Sequence, residues 1–149
     1  MGCDIHSVCE VYEDGKWRDA GDVFPVPEYL VRFYGKRKYG MPFNARNYLV
    51  FSILAGVRGN GSVKPISLPR GLPEDWVARD DWHRDWNKSV MSPWNEDAHS
   101  HSWLLASELL NYDYGEVEHR LSSEFTTTLQ VLRELGDPDK VRVVFWFDS

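Results

Sequence analysis

The sequence predicts a small α+β domain in which strands from both ends of the chain form an antiparallel or mixed sheet, covered by about three helices. Residues 3–12 alternate in polarity as a half-buried strand does, and residues 141–147 form a strand-like run that is apolar on both faces. Helix-like apolar periodicity and long loops rich in aromatic residues, Gly and Pro lie between them. We expect one domain, residues 1–149.

The opening strand has two chemically different faces. Alternation places one set of side chains toward the core, namely Cys3, Ile5, Ser7, Cys9 and Val11. The opposite face carries Asp4, His6, Val8, Glu10 and Tyr12. Asp14-Gly15 then predicts a tight hairpin turn into a returning strand at Trp17. The closing strand is expected to pair beside the opening one.

Apolar periodicity predicts helices over residues 45–55, 103–111 and 124–135, and a further helix from 73 to about 86 is possible on the same pattern. A suitable N-cap precedes each of the three main helices: Asn44, then Ser100 or Ser102, then Ser122 or Ser123. Gly56 and Gly136 are suitable stops for the first and the third. Residues 21–43 contain too many aromatic side chains for a disordered linker, so they are predicted to form a structured loop.

Composition excludes several classes of function. The formal net charge is −6, and a chain that binds duplex nucleic acid usually has a net basic face. No apolar run approaches the roughly 18 residues that a membrane span needs. Cys3 and Cys9 are too far apart on one strand to form a disulfide, and no signal peptide precedes them. A cytoplasmic, reducing compartment is therefore expected.

One face of the opening strand is the first candidate for chemistry. Asp4, His6 and Glu10 lie on the same side of the strand. An imidazole between two carboxylates can act as a general acid–base group or as a metal-ligating face. The alternative is that this face belongs to a solvent-exposed edge strand.

The segment His99-Ser100-His101-Ser102-Trp103 is the second candidate, and it is expected at the N-terminus of a helix. Free N–H groups and the helix dipole favour anions at such a position. Ser100 and Ser102 can cap the helix or donate to a phosphate. His99 and His101 are the expected catalytic imidazoles, acting with the groups on the opening strand.

A divalent metal is the predicted cofactor. His99 and His101 can bind one metal if the backbone between them is extended. Together with Asp4 and His6, they would supply the nitrogen and oxygen ligands that suit Zn²⁺ or Mn²⁺.

Three arginines, two of them beside glycine or proline, are predicted to bind the ligand: Arg46, Arg58 and Arg70. Guanidinium groups on tight loops suit bidentate recognition of phosphate or carboxylate. The alternative is that each arginine pairs with one of the 23 acidic residues.

Tryptophan is abundant, with seven in the chain, and five of them lie within residues 76–103. Trp94 and Trp103 flank the His-Ser-His segment and could stack on a nucleobase. Packing in an aromatic core is the alternative.

Five blocks of this sequence resemble a family of small uncharacterised phage and bacterial proteins. They are Gly2-Cys3-Asp4-Ile5-His6, Arg46-Asn47-Tyr48 with Leu54-Ala55-Gly56-Val57-Arg58, Pro69-Arg70-Gly71-Leu72-Pro73, His99-Ser100-His101-Ser102-Trp103, and Val144-Phe145-Trp146-Phe147-Asp148. The blocks span nearly the whole chain and follow the order of the family. The family brings no activity with it, but a phage setting implies, by association, action on the nucleotide signals of bacterial immunity.

Three functions stay open at this point. The first is an enzyme that hydrolyses a phosphodiester in a cyclic dinucleotide or an ADP-ribose-like signal. The second is a sponge that binds the same small molecule without chemistry. The third is a protein that blocks a host factor through its aromatic segment 24–43, with Phe33 and Tyr34 in contact. A homodimer is an arrangement that ligand-capturing proteins often use.

Overall fold

Strands from both ends of the chain form one four-stranded antiparallel sheet in the order β2-β1-β4-β3. The structure is a computed structural model that describes residues 2–26, 28, 32, 40–76 and 92–149. The strands are β1 Asp4–Glu13, β2 Lys16–Asp19, β3 Ala98–Leu105 and β4 Val141–Asp148. The main α-helices of the described ranges are α1 Tyr48–Ala55, α2 Ala106–Asn111 and α3 Ser123–Glu134, and short 3₁₀ helices span Gly21–Val23, Gly115–Arg120 and Pro138–Lys140. The predicted α+β class is confirmed.

The β1–β2 hairpin turns where the sequence predicts. Asp14 and Gly15 both adopt positive φ, 52° and 79°, as both central residues of a type I′ turn must. The hairpin register pairs Tyr12 with Trp17, whose rings meet edge to face.

The closing strand is central, as predicted. β4 pairs along its whole length with β1, from Asp4↔Asp148 to Val11↔Val141, and its other edge pairs with β3. Residues 141–147 are all buried, because elements cover both faces of the sheet here. This explains the unbroken apolar run of the closing strand.

We call the side that packs against the helices the helical face, and the opposite side the second face. The main core lies on the helical face, where strand and helix residues are buried together, including Ile5, Cys9, Val143, Phe145, Phe147, Phe51, Leu54, Leu109, Phe125 and Leu132. Cys3 and Cys9 are buried thiols of this core and are not joined by a disulfide. The second face carries a smaller apolar cluster of Val8, Val144 and Trp146, with Leu72, Trp76, Ala98 and Trp103 packed against it.

The first and third predicted helices form, with shifted ends. α1 begins at Tyr48 because Asn47, rather than Asn44, caps it: its side chain accepts from the N–H groups of Leu49 and Val50. Ala45 instead donates its N–H to the Glu124 side chain of α3. Gly56 ends α1 at φ 73°, and Ser122 caps α3 as predicted.

The predicted helix over 103–111 is wrong in its first half. Trp103, Leu104 and Leu105 belong to β3 and pair with Val144, Val143 and Arg142, and only residues 106–111 are helical. A short apolar run fits either period, so pairing with the central strand decides its structure. The expected N-terminal helix position of the His-Ser-His segment is corrected with it.

Two other predicted segments are only partly described. Residues 73–76 form a turn, and the remainder of the helix expected up to 86 lies outside the described residues. At the ends of the aromatic segment 24–43, Phe24 and Phe43 are buried in the main core. Phe33 and Tyr34 lie outside the described residues.

Within the described ranges, no helix has the length and apolar character needed to cross a membrane.

Candidate functional site

The strand register brings the two predicted candidate segments to one end of the sheet. Asp4 of β1 pairs with Asp148 of β4, and Asp148 pairs on its other side with Ala98 of β3. His6 on β1 and His99 on β3 lie near this end, on the two strands that flank β4. We call the polar residues gathered here the sheet-end cluster: Asp4, His6, His99, Ser100, Asp148 and Ser149.

His6 and Asp148 form a carboxylate–imidazole dyad within this cluster. Nε2 of His6 is hydrogen-bonded to Oδ2 of Asp148, and His6 is only 4% exposed. If Asp148 is ionised, it can only accept, so Nε2–H of His6 donates to it and Nδ1 of a neutral ring carries the lone pair. Nδ1 is buried and has no hydrogen-bond partner in the part of the chain that the structure describes. An oriented imidazole with one free nitrogen is a suitable general base.

The alternative of a solvent-exposed edge strand is wrong for β1. β1 lies between β2 and β4, and its second face is covered, so that Val8 and even the polar His6 and Glu10 are buried. Alternation identifies which side chains share a face, but it does not reveal that residues 72–76, far away in the sequence, pack over that face.

Tryptophan rings connect the dyad with the surface. His6 lies 6.2 Å from Trp146 between ring centroids, Trp146 lies 5.9 Å from Trp76, and Trp76 lies 5.9 Å from Trp94. Trp94 is 51% exposed, whereas Trp146 is fully buried. Nε1 of Trp76 is a second buried atom without a hydrogen-bond partner in the described ranges. We call these three tryptophans the tryptophan ladder.

The predicted stacking residue Trp103 has a different partner. The guanidinium of Arg70 lies 4.7 Å from its ring centroid. Of the two predicted stacking residues, Trp94 therefore presents the larger exposed ring and belongs to the ladder that reaches the dyad.

His99 is held between two hydroxyl groups. Its Nδ1 lies 2.9 Å from Oγ of Ser100, and its Nε2 lies 2.8 Å from Oγ of Ser149. The ring also stacks on Phe147 at 6.2 Å. We call Ser100, His99 and Ser149 the serine–histidine relay.

The relay sits at a β-bulge. His99 pairs with Phe147 and Ser102 with Phe145, so Ser100 and His101 together oppose the single residue Trp146. Ser100 adopts φ 55°, a left-handed conformation that costs a non-glycine residue on the order of 1 kcal/mol. Strain of this kind is concentrated at functional sites.

His101, in the bulge, and Ser102, directly after it, each hydrogen-bond to a backbone group outside β3. Nε2 of His101 hydrogen-bonds to the carbonyl oxygen of Pro93 at 2.6 Å. Ser102 is fully buried and accepts from the backbone N–H of Arg70, so it does not cap a helix.

The four predicted metal ligands do not converge. β4 separates His6 from His99, so their strands lie about 10 Å apart. They pair with the adjacent residues Trp146 and Phe147, whose side chains point to opposite faces. Among the described residues, no three His, Cys, Asp or Glu side chains form a group that could hold a metal ion. The Zn²⁺ or Mn²⁺ site stays a prediction from the sequence.

Two of the three predicted phosphate-binding arginines are paired with carboxylates. Arg46 binds Asp4 at 3.0 and 3.2 Å, and this contact raises the pKa of Arg46. Arg70 binds both oxygens of Glu108, at 2.5 and 2.8 Å. The hydrogen bond from Arg70 is the main reason that the pKa of Glu108 is lowered.

Arg58 is placed differently from the other two. It is exposed, and its guanidinium lies 5.6 Å from the ring centroid of Tyr48, whose hydroxyl accepts the N–H of Cys3 just before β1. Arg58 is thus directed to the same end of the sheet as the cluster.

Glu10, a predicted catalytic acid, is paired with Arg142 and not with the dyad. Nε of Arg142 donates to it at 2.7 Å, and both side chains are at least 90% buried. Arg142 also binds Asp75 at 2.9 Å and lies over Trp17 at 4.1 Å. Glu10 is four residues from His6, about 13 Å along the strand, so it does not join the dyad.

A separate cavity of about 340 Å³ lies beside α3, lined by Phe24, Met41, Glu124, Thr127 and Val131 among others. Burial raises the pKa of Glu124, while hydrogen bonds from the backbone of Ala45 and Asn44 oppose the shift.

Sequence reasoning missed the partners that β4 supplies. Asp148 and Ser149 orient the two histidines, and Arg142 binds Glu10, yet none of them was singled out for chemistry. The only available signal was an acidic residue, Asp148, at the end of an apolar strand. The pairing register decides which side chain this residue contacts, and the sequence does not give that register.

Comparison with protein families, with curated proteins and with solved structures gives no match to this chain. The family resemblance therefore stays a prediction.

Proposed function

We propose that this protein hydrolyses a phosphodiester in a nucleotide-derived small molecule at the sheet-end cluster. The observation that carries the proposal is the His6–Asp148 dyad, in which a buried imidazole is held by a carboxylate and keeps one ring nitrogen free beside Trp146.

In this proposal each group has a distinct role. Nδ1 of His6 accepts the proton of the attacking group, and Asp148 fixes the tautomer and stabilises the imidazolium that forms. Arg58 approaches the same end of the sheet from the helical face, beside Tyr48, so it is not assigned to the dyad. Trp94, at the exposed end of the tryptophan ladder, stacks on the nucleobase.

The proposed substrate class is that of cyclic dinucleotides and ADP-ribose derivatives. The phage resemblance supports it by association, and the ladder supports it by its chemistry, because planar rings stack well on tryptophan. Capture in a phage-infected cell would place the protein in the host cytoplasm, and a homodimer would be compatible with the site.

Sequestration without hydrolysis is the second candidate function. The low exposure of His6, 4%, favours it, because water must reach the free nitrogen for hydrolysis to occur. In that case the exposed Trp94 would stack on the base, and the buried dyad would not contact the ligand.

The test is incubation of the whole protein with a panel of cyclic dinucleotides and ADP-ribose derivatives, with Mn²⁺, Zn²⁺ or EDTA. Mass spectrometry before and after heat denaturation reads the small molecules. Altered ligand supports hydrolysis, intact released ligand supports sequestration, and no binding by any member rejects both and favours the protein antagonist.

Asp148→Asn is the decisive variant, because it keeps the shape of the side chain but removes the charge that orients His6. We expect turnover to fall by about 10²–10⁴-fold with little change in melting temperature. His119→Gln is the matched control, since His119 is exposed on a short 3₁₀ turn at Gly115–Arg120. Unchanged turnover in Asp148→Asn would reject the role of the dyad.

A further inference from the structure

We infer that Ser100 is a covalent nucleophile activated by His99. Its hydroxyl lies 2.9 Å from one nitrogen of an imidazole whose other nitrogen is held by a third side chain, Ser149. A nucleophile next to a base, with the base oriented by a further group, is the arrangement that activates serine. This is a second site, on the face of the sheet opposite to the His6–Asp148 dyad, and it rests on the proposed function only for the substrate class.

Backbone geometry is an independent reason to single out this serine. Ser100 occupies the left-handed position of a β-bulge, at φ 55°, where glycine would be free of strain. The bulge turns the chain so that the Ser100 hydroxyl faces the ring of its own neighbour His99. A side chain kept at a strained position is explained if the hydroxyl itself is needed.

The relay is also accessible, unlike the dyad. Ser149 is exposed, and His99 and Ser100 are partly exposed. A phosphodiester can therefore approach Ser100 directly from solvent.

The covalent step takes place at the phosphorus atom of a phosphodiester. Oγ of Ser100 forms a bond to phosphorus while its proton passes to Nδ1 of His99, and the bond from phosphorus to the leaving alkoxide breaks. His99 returns the proton to that alkoxide, which departs as an alcohol. Water, with His99 as base, then cleaves the phosphoserine and restores the enzyme.

Ser149 is a positioning residue in this scheme. If Nε2–H of His99 donates to its hydroxyl, the tautomer is fixed with the lone pair on Nδ1, facing Ser100. Loss of Ser149 should shift the pH profile of Ser100 reactivity without lowering the melting temperature.

The experiment uses an alkyl fluorophosphonate, which reacts with activated serine by releasing fluoride and needs no nucleotide. The intact protein is incubated with the probe, and mass spectrometry with peptide mapping locates the adduct. We expect a single adduct on Ser100 and none in Ser100→Ala. His99→Gln should slow labelling at least 10²-fold.

Two further variants keep the test clear of folding effects. Ser100→Gly should raise the melting temperature, because it relieves the strained φ, and should still abolish labelling. Ser62→Ala, at an exposed serine, should label at the wild-type rate. No adduct on Ser100, or labelling that does not depend on His99, overturns the inference.

Failure of this inference is distinguishable from failure of the proposed function. Nucleotide turnover that depends on Asp148, without any adduct on Ser100, would reject Ser100 and retain the dyad. An adduct on Ser100 without turnover of any panel member would retain the nucleophile and reject the proposed substrate.

Discussion

The two carboxylates bound to Arg142 offer a direct test of how burial sets the strength of an ion pair. Glu10 and Asp75 approach the same guanidinium at nearly equal distances, 2.7 and 2.9 Å. Their side chains differ in exposure, 10% for Glu10 and 64% for Asp75. If distance alone set the strength of the ion pair, Glu10 and Asp75 would contribute equally to stability. Solvent screening instead predicts that the buried Glu10 contributes more than the exposed Asp75.

The expected magnitudes follow from this difference. Two unit charges about 4 Å apart interact by about 4 kcal/mol at an effective dielectric constant of 20, but by about 1 kcal/mol in water. Removing one partner of a buried pair costs about 3–5 kcal/mol, because the other charge stays buried. After Glu10→Ala, the Arg142 side chain, 5% exposed, would keep Asp75 and the Trp17 ring. Because of these remaining partners, we expect a loss of about 3 kcal/mol, the low end of that range, for Glu10→Ala, and below about 1 kcal/mol for Asp75→Ala.

Urea denaturation followed by far-ultraviolet circular dichroism measures both variants without relying on the nearby Trp17 fluorescence. For a chain of this size, the Glu10→Ala loss corresponds to a fall of roughly 10 °C in melting temperature. Equal losses in the two variants would refute the argument from burial. Retained nucleotide turnover per folded molecule in Glu10→Ala would further assign Glu10 to stability rather than to chemistry.

Two other predictions concern α1 and α3. Because burial raises the pKa of Glu124 above 4.5, the folded chain holds its proton at higher pH than the unfolded chain does, and the ionised group destabilises the fold. Glu124→Gln should therefore gain stability relative to wild type as pH rises above about 4.5, and a pH-independent difference in urea midpoints would contradict this. Asn47→Ala should lower the free energy of unfolding by about 1 kcal/mol, because it removes the cap of α1. Asn44→Ala, at the position predicted from sequence, should lower it by less. Equal losses in urea denaturation would reject Asn47 as the cap.

Local patterns predicted the parts of the fold that depend on neighbouring residues. Alternation in β1 separates Cys9 from Glu10 correctly, and Asp14-Gly15 marks the turn because only a few residues accept positive φ at both central positions. The Ser122 cap and the Gly56 stop are of the same kind. In each case the interaction is completed within a few residues.

Patterns failed where a distant strand decided the structure. Trp103-Leu104-Leu105 is apolar enough for a helix or a strand, and pairing with β4 makes it a strand. The same pairing turns Ser102 from an expected helix cap into a buried acceptor. Arg46 and Arg70 were predicted to bind phosphate, but Asp4 and Glu108 satisfy them in the fold. The alternative of ordinary ion pairing, which is the better expectation for any single arginine, is what the fold shows for both.

The position of β4 also decides what the two histidine groups can do together. His6 and His99 flank this strand on opposite faces, so they cannot share one proton or one metal ion directly. Each is nevertheless oriented by the end of the same strand, His6 by Asp148 and His99 by Ser149. A shift of β4 by one residue would exchange its two faces and remove both partners at once. The proposed hydrolysis therefore depends on the β1–β4 register, and the inferred nucleophile depends on the β3–β4 register.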